Sequence, residues 1–124
     1  MKPASVVVLL LCLGLSDLGI AGSIDAAAGC RGNPAVSGAC FSVRGRVSAY
    51  NGTPSLRIWP VGTTRLLGIV PVENEIMPES IKNKVTFQQN VFATLEVCPF
   101  TPARPGVMQL VCVESATDIQ VRPR

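Results

Sequence analysis

The chain contains no histidine, and this absence removes whole classes of chemistry. Hydrolases that rely on a histidine base cannot be built without it, so neither a Ser-His-Asp nor a Cys-His constellation exists here. The five cysteines include no C-x-x-C pair, which together with the missing histidine argues against a zinc site. We therefore expect no metal, no cofactor and no enzymatic activity.

The sequence also lacks an apolar run of the length and purity that a membrane-spanning helix needs. The run at residues 6–22 has 17 residues and includes Asp17, whereas a spanning helix needs about 20 with few or no charges. With Lys2 before it and small residues after it, the run is typical of an export signal. We expect residues 1–28 to be removed, with cleavage after Ala21 as the alternative, and the mature protein to be periplasmic.

Cys30 follows this leader directly and leaves two possibilities open. Residues 27–30, Ala-Ala-Gly-Cys, are a degenerate form of the small-residue box that precedes a lipidated cysteine. A lipid on Cys30 would anchor the protein, whereas a disulfide would leave it free. Cys12 is removed with the leader, so four cysteines enter an oxidising compartment and two disulfides are expected.

The mature chain is small and mildly basic. Residues 29–124 are 96 of the 124 residues, which makes one domain near the size where a single core just suffices. Ten Lys and Arg then oppose six Asp and Glu, a net charge of +4. This balance is compatible with an anionic partner and equally with simple solubility.

Period-two alternation of apolar and polar residues predicts five strands. The first runs from Phe41 to Tyr50, and Asn51-Gly52 after it is a strong hairpin signal. Residues 29–39 are predicted to form an irregular N-terminal arm. The remaining strands are predicted at about residues 55–61, 64–70, 91–98 and 107–114, with a short extension at 119–121.

Residues 78–84 are predicted to form a short helix. Pro78 suits the first helical position, Glu79 lies in the first turn and lysines lie in the last. The order strand, strand, strand, helix, strand, strand is that of the OB-fold, a small five-stranded barrel. We therefore predict an all-β fold with one short helix, in which residues 40–124 form a single OB-like β-barrel.

The last hairpin predicts a disulfide. If its turn centres on Pro105, Cys98 and Cys112 lie opposite each other and on one face. A bond between them would close a loop of about 15 residues, worth roughly 3 kcal/mol in the chain-entropy model. Cys30 would then pair with Cys40 and tie the arm to the first strand. Four cysteines allow three connectivities, and this one is our prediction.

Arginines and the only Trp and Tyr of the chain are predicted to share one sheet face. Alternation places Arg44, Arg46 and Tyr50 on one side of the first strand, and Arg57 and Trp59 on one side of the second. Guanidiniums beside aromatic rings allow stacking plus anion contact. An ordinary solvated face, with arginine stems covering the rings, would give the same pattern.

Three parts of the sequence carry a family resemblance. Segments 45–52 (GRVSAYNG), 57–63 (RIWPVGT) and 97–101 with 108–115 (VCPFT, MQLVCVES) look like those of small exported proteins of alphaproteobacteria. That family has no assigned activity, so the resemblance implies a periplasmic setting and supplies no catalytic residues.

These observations together predict a disulfide-stabilised, non-enzymatic binding module of the cell envelope. The expected partners are an anionic envelope glycan, a lipid headgroup or another envelope protein, and export argues against nucleic acid. Two alternatives stay open: a structural envelope component without a ligand, and a small enzyme that uses carboxylates alone. Glu73 and Glu75 would serve that enzyme, although the sequence favours a solvated loop as their explanation.

Overall fold

The strands of the computed structural model lie where the sequence alternates between apolar and polar residues. The structure describes residues 29–71 and 77–124, and within these ranges no helix is long and apolar enough to cross a membrane. The all-β class with five strands is confirmed, while the leader at 1–28, Glu73 and Glu75 lie outside the described residues. The described strands are β1 (Phe41–Ala49), β2 (Leu56–Pro60), β3 (Leu67–Ile69), β4 (Gln89–Pro99) and β5 (Gln109–Pro123).

Pairing joins these strands into one sheet that closes into a barrel, in the order β1-β2-β3-β5-β4. β1 is antiparallel to both β2 and β4, and β4 is antiparallel to β5. β3 is antiparallel to β2 but parallel to β5, and this short parallel pair completes the closure. As a result, β1 lies between β2 and β4 and shares an outer face with both.

One set of alternating residues fills the inside of the barrel. In β1 this set includes Gly45 and Val47, and a Cβ on Gly45 would lie 2.5 Å from Cγ2 of Ile58 in β2. Glycine is favoured at position 45 because any larger residue would force the Ile58 side chain or the strands to shift. The other set faces outwards and carries the polar residues of β1 and β2. The fully buried side chains also include Leu67, Ile69, Ile81, Val91, Leu95, Val97 and Val111.

The predicted helix at residues 78–84 is not formed, and successive turns take its place. The amides of Ile81 and Lys82 both donate to the carbonyl of Pro78, at 3.1 and 3.0 Å, and the Lys84 amide donates to the carbonyl of Ile81 at 3.0 Å. Only the Lys82 bond has α-helical spacing. So short a segment forms too few bonds of this kind to offset the free-energy cost of helix nucleation. Ile81 is nevertheless fully buried, so the turns are anchored to the core.

One connection and one strand differ in length from the prediction. The hairpin between β1 and β2 is present, but its loop spans residues 50–55 and is closed by the Tyr50 amide, which donates to the carbonyl of Ser55 at 2.7 Å. β5 continues to Pro123 and takes in the predicted extension at 119–121. Two register shifts against β4 absorb the extra residues of β5, so β4 stays paired with β5 along its whole length.

The cysteines pair differently from the prediction. Cys98 and Cys112 are opposite each other in the β4–β5 ladder, as expected, but they are not bonded to each other. Instead Cys30 bonds to Cys112 and Cys40 bonds to Cys98, with Cα–Cα separations of 5.8 and 4.1 Å. The predicted pairs Cys98–Cys112 and Cys30–Cys40 are therefore wrong. The reason is that residues 29–40 pass over the outside of β4 and β5, which brings two further sulfurs to these positions.

Backbone contacts hold this arm, residues 29–40, in place. The Ser37 amide donates to the carbonyl of Pro99 at 2.8 Å, and the Glu114 carboxylate accepts bonds from the amides of Cys30 and Arg31, at 2.9 and 3.2 Å. Cys30 is fully buried with its sulfur in the disulfide. In this structure the sulfur is therefore not free to carry the thioether of a lipid anchor.

Candidate functional site

Four of the five predicted site residues meet in two stacked pairs on the outside of the barrel. Arg46 and Trp59 are register partners in β1 and β2, and the Arg46 Cζ lies 4.9 Å from the centroid of the Trp59 ring. The Arg57 Cζ lies 4.7 Å from the centroid of the Tyr50 ring. Both distances are within the range of cation–π attraction. The hairpin register therefore does align these guanidiniums with the aromatic rings.

Hydrogen bonds fix one member of each pair. Trp59 Nε1 donates to the carbonyl of Thr63 at 2.7 Å, and Arg57 Nε donates to the carbonyl of Pro54 at 3.0 Å. The Trp59 and Tyr50 side chains are half-buried, so part of each ring is open to solvent. Side chains already held in place lose less conformational entropy when a ligand binds.

Arg44 does not join these pairs. It lies on the same face of β1, but its Nη1 donates to the carbonyl of Asp118 at 2.8 Å and to Oγ1 of Thr94 at 3.4 Å. Thr94 is its register partner in β4, so the side chain extends across β4 towards β5 and away from β2. Its contacts tie strands together and leave it apart from the aromatic rings.

Three residues that the sequence analysis missed extend the face onto β4 and β5. Phe92 is the register partner of Arg46 on the side opposite Trp59, and the Arg122 Cζ lies 5.4 Å from the centroid of the Phe92 ring. Arg124 Cζ lies 5.5 Å from the centroid of the Tyr50 ring. Alternation places Phe92 on the polar side of its strand, but only the pairing of β4 with β1 shows what it meets. The arginine–aromatic face is defined as Arg46, Tyr50, Arg57, Trp59, Phe92, Arg122 and Arg124.

The positive charges of this face are not neutralised by acids in the part of the chain that the structure describes. No carboxylate there lies within ion-pair distance of its four guanidiniums. Glu96 pairs with Arg31 of the arm, Glu79 pairs with Lys82 at 3.4 Å, and Glu114 accepts bonds from arm amides. The face is thus a positive surface with accessible rings, and Coulomb attraction favours an anion there.

Two open grooves lie at the loops next to this face. One, of about 740 Å³, lies between residues 64–66 and 103–108, and the other, of about 600 Å³, lies between Pro54 and residues 101–110. Their described linings contain Arg65 and Arg104 but neither an aromatic ring nor a carboxylate. The grooves therefore offer neither a stacking surface nor the carboxylate pair that a glycoside hydrolase uses.

One cluster has the residue types of a metal site but not their chemistry. The Sγ atoms of Cys30 and Cys98 and a carboxylate oxygen of Glu114 lie within 4.8 Å of one another. Both sulfurs are in disulfides, and a metal ligand must be a thiolate. This cluster belongs to the attachment of the arm.

Comparison with known proteins identified no relative of this chain. No protein-family model, no curated protein and no solved structure matches the chain. Function is therefore argued from the arginine–aromatic face itself.

Proposed function

We propose that this protein is an exported, non-enzymatic binding module that holds an anionic envelope ligand, with an acidic glycan as the first candidate, on its arginine–aromatic face. The observation that carries the proposal is the stacking of Arg46 on Trp59 and of Arg57 on Tyr50, on one face and without an ion-paired carboxylate among the described residues. Aromatic rings cover the apolar face of a sugar ring, and guanidiniums bind its acidic groups through paired hydrogen bonds.

The disulfides support the proposed export. Both bonds are of the kind that persists in an oxidising compartment such as the bacterial periplasm. The signal-like segment at residues 1–28 and the resemblance to exported alphaproteobacterial proteins point to the same compartment. An exported protein meets envelope glycans and lipids, and this favours them over nucleic acid as ligands.

We further propose that the barrel is OB-like. Its strand order β1-β2-β3-β5-β4, closed by a parallel pair, is compatible with a five-stranded Greek-key barrel of that type. OB-folds bind oligosaccharides and oligonucleotides around their second and third strands. Arg57 and Trp59 lie on β2, so the proposed ligand would bind next to the surface that OB-folds use.

A glycan is favoured over a lipid bilayer by the distribution of exposed apolar side chains. A membrane-inserting surface gathers such side chains into one patch. Here, among the described residues, the exposed Phe87 precedes β4 and the exposed Val107 lies in the loop after the other end of β4, so the length of this 11-residue strand separates them.

Binding by a triple variant of the face tests the proposed function. The mature protein is screened against acidic and neutral glycans and against vesicles of neutral and anionic lipid. The triple variant Arg46→Ala, Arg57→Ala, Trp59→Ala is then measured with each probe that binds. Losing one stacking ring and two charge-assisted contacts should weaken binding more than about 100-fold.

A matched control removes comparable groups from the grooves. The variant Arg65→Ala, Arg104→Ala, Val107→Ala loses two positive charges and one exposed apolar side chain. We expect it to bind like the unchanged protein. Retained binding by a folded triple variant of the face would contradict the proposal, and loss of binding by the control would place the ligand in the grooves.

A further inference from the structure

Three buried polar atoms in and beneath the arginine–aromatic face have no hydrogen-bond partner among the residues that the structure describes. They are Arg46 Nε, Ser48 Oγ and Asn90 Oδ1. The Ser48 residue is 2% exposed and Asn90 is 9% exposed. Buried polar groups are nearly always paired, because an unpaired one loses its bonds to water without replacement. Three such atoms in one place point to a ligand that hydrogen-bonds there.

Strand pairing puts the three side chains next to one another. Val47 is the register partner of Val91, so Ser48 and Asn90 are the next facing positions of β1 and β4. Arg46 precedes Ser48 on the same face of β1. Facing positions lie about 5 Å apart at Cβ, and same-face neighbours along a strand lie about 7 Å apart. The three side chains are therefore neighbours on one face, and a small anion meets them once the side chains that cover Ser48 and Asn90 move aside.

Arginines flank this central pair on both sides. Ser48 is the register partner of Arg57 in β2, and Asn90 is the register partner of Arg122 in β5. Across four strands the row therefore reads Arg122, Asn90, Ser48, Arg57. Arg124, which donates to a backbone carbonyl of β1, adds a further positive charge at the same end of the face. A dianion bound at the centre would have a guanidinium on either side.

The number and type of donors favour a ligand group of a particular shape. Arg46 Nε and the Ser48 hydroxyl donate directly, and the Asn90 carboxamide donates after a half-turn of its terminal torsion. Three donors on neighbouring positions suit a tetrahedral group with three terminal oxygens better than a planar carboxylate with two. A phosphomonoester has this shape and, with a second pKa of about 6, is largely dianionic at neutral pH.

We propose that Ser48, Asn90 and Arg46 form a phosphate subsite, in which the phosphomonoester of the bound ligand is held between Arg57 and Arg122. This inference rests on the proposed function and names the ligand class. The next row of the face holds Trp59 and Phe92 about 7 Å away along the strands. A sugar ring that carries the phosphate would reach those rings, so a phosphorylated glycan fits both rows.

Calorimetric titration of the mature protein tests the subsite. The probes are inorganic phosphate, glucose 6-phosphate, unmodified glucose, and neutral vesicles with and without phosphatidic acid. Ser48→Ala and Asn90→Leu each remove one donor, and each should weaken binding of the phosphate probes about tenfold, as expected for a hydrogen bond to a charged group. Ser48→Ala should leave the protein at least as stable, because it removes an unpaired buried hydroxyl.

Two controls accompany these variants. Ser42→Ala changes an exposed serine on the same face of β1, and Arg104→Ala removes one charge from the loops, and both should bind as the unchanged protein does. Binding of glucose 6-phosphate identifies a sugar-borne phosphate, and binding only of phosphatidic acid vesicles identifies a lipid-borne one. Either result supports the subsite if Ser48→Ala and Asn90→Leu weaken it.

Different experimental results would contradict the phosphate subsite and the proposed function. Unchanged phosphate affinity in both Ser48→Ala and Asn90→Leu overturns the subsite, and the face still stands if its triple variant loses binding. Binding of carboxylated glycans without any binding of phosphate probes also overturns the subsite and leaves the function intact. No binding of any anionic probe overturns both.

Discussion

We expect the two disulfides to provide much of the stability of this small fold. Cys30–Cys112 spans 82 residues, and Cys40–Cys98, which spans 58, is nested inside it. Once the inner bond is closed, the outer one closes a ring of only about 24 residues, which the chain-entropy model values at roughly 3.5 kcal/mol. The nested arrangement therefore makes the contribution of the outer bond smaller than its span suggests.

Joint replacement of Cys30 and Cys112 by alanine tests this value. Both residues are changed so that no free thiol is left to exchange with the remaining bond. The free energy of unfolding should fall by roughly 3.5 kcal/mol, a large share of the about 5–15 kcal/mol of a typical domain. Equilibrium urea unfolding without reductant measures the difference. An unchanged free energy of unfolding would refute the reasoning.

The pairing itself is read from cross-linked peptides after digestion at pH just below neutral, without reductant. Trypsin leaves Cys98 and Cys112 in one peptide, because the arginine between them precedes a proline. Cyanogen bromide cleavage at Met108 then separates the two cysteines. The structure predicts that fragment 109–124 is joined to the peptide that ends at Arg31, through Cys30.

The other disulfide gives the complementary product. Fragment 85–108 should be joined to fragment 32–44 through Cys98 and Cys40. Fragment 85–108 joined to 109–124 would instead show a Cys98–Cys112 bond, and would refute the placement of the arm across β4 and β5.

Urea unfolding of three single variants tests the packing elsewhere. Gly45→Ala places a Cβ 2.5 Å from Ile58 Cγ2 and should lower the free energy of unfolding by about 1–3 kcal/mol. An unchanged free energy of unfolding would show that the packing of β1 against β2 is not tight at this position. Ile81→Ala truncates a fully buried side chain and should lower the free energy of unfolding by about 2–5 kcal/mol. A loss well below that range would show that Ile81 does not anchor residues 79–84 to the core. Arg31→Ala should change stability by less than about 1 kcal/mol, because its ion pair with Glu96 is exposed; a larger loss would make that pair the main attachment of the arm.

The strands could be predicted because their signal is local. Alternation from Phe41 to Ala49 and in β4 is visible in any short window of the sequence. Each predicted strand overlaps one of the structure, although β3 is limited to Leu67–Ile69 and β5 continues to Pro123. The helix at residues 78–84 was predicted from local signals too, namely Pro78 and the charges at either end. There the outcome depended on Ile81, which the turns bury with only one hydrogen bond of α-helical spacing.

The contacts that could not be predicted are those between distant segments. One hairpin turn suffices to place Cys98 opposite Cys112, but residues 29–40 have no periodicity from which their path could be read. Phe92 and Arg122 belong to the face only because β4 lies between β1 and β5. The pairs within the first hairpin were predictable, and the part of the face that depends on barrel closure was not.

The crossing of the arm over β4 and β5 has a consequence for the order of oxidation. Short loops close at lower entropic cost, so the early pairs in an unfolded chain are the ones about 10 and about 14 residues apart, Cys30 with Cys40 and Cys98 with Cys112. From a chain in which only Cys98–Cys112 has formed, the Cys30 thiolate attacks the Cys112 sulfur and releases the Cys98 thiolate, and oxidation of Cys98 with Cys40 by the compartment's oxidant then forms the second bond. The sulfurs of Cys30 and Cys98 lie within 4.8 Å of each other, so this exchange needs little movement once the strands have paired. The sheet, rather than the spacing of the cysteines along the chain, selects the final connectivity.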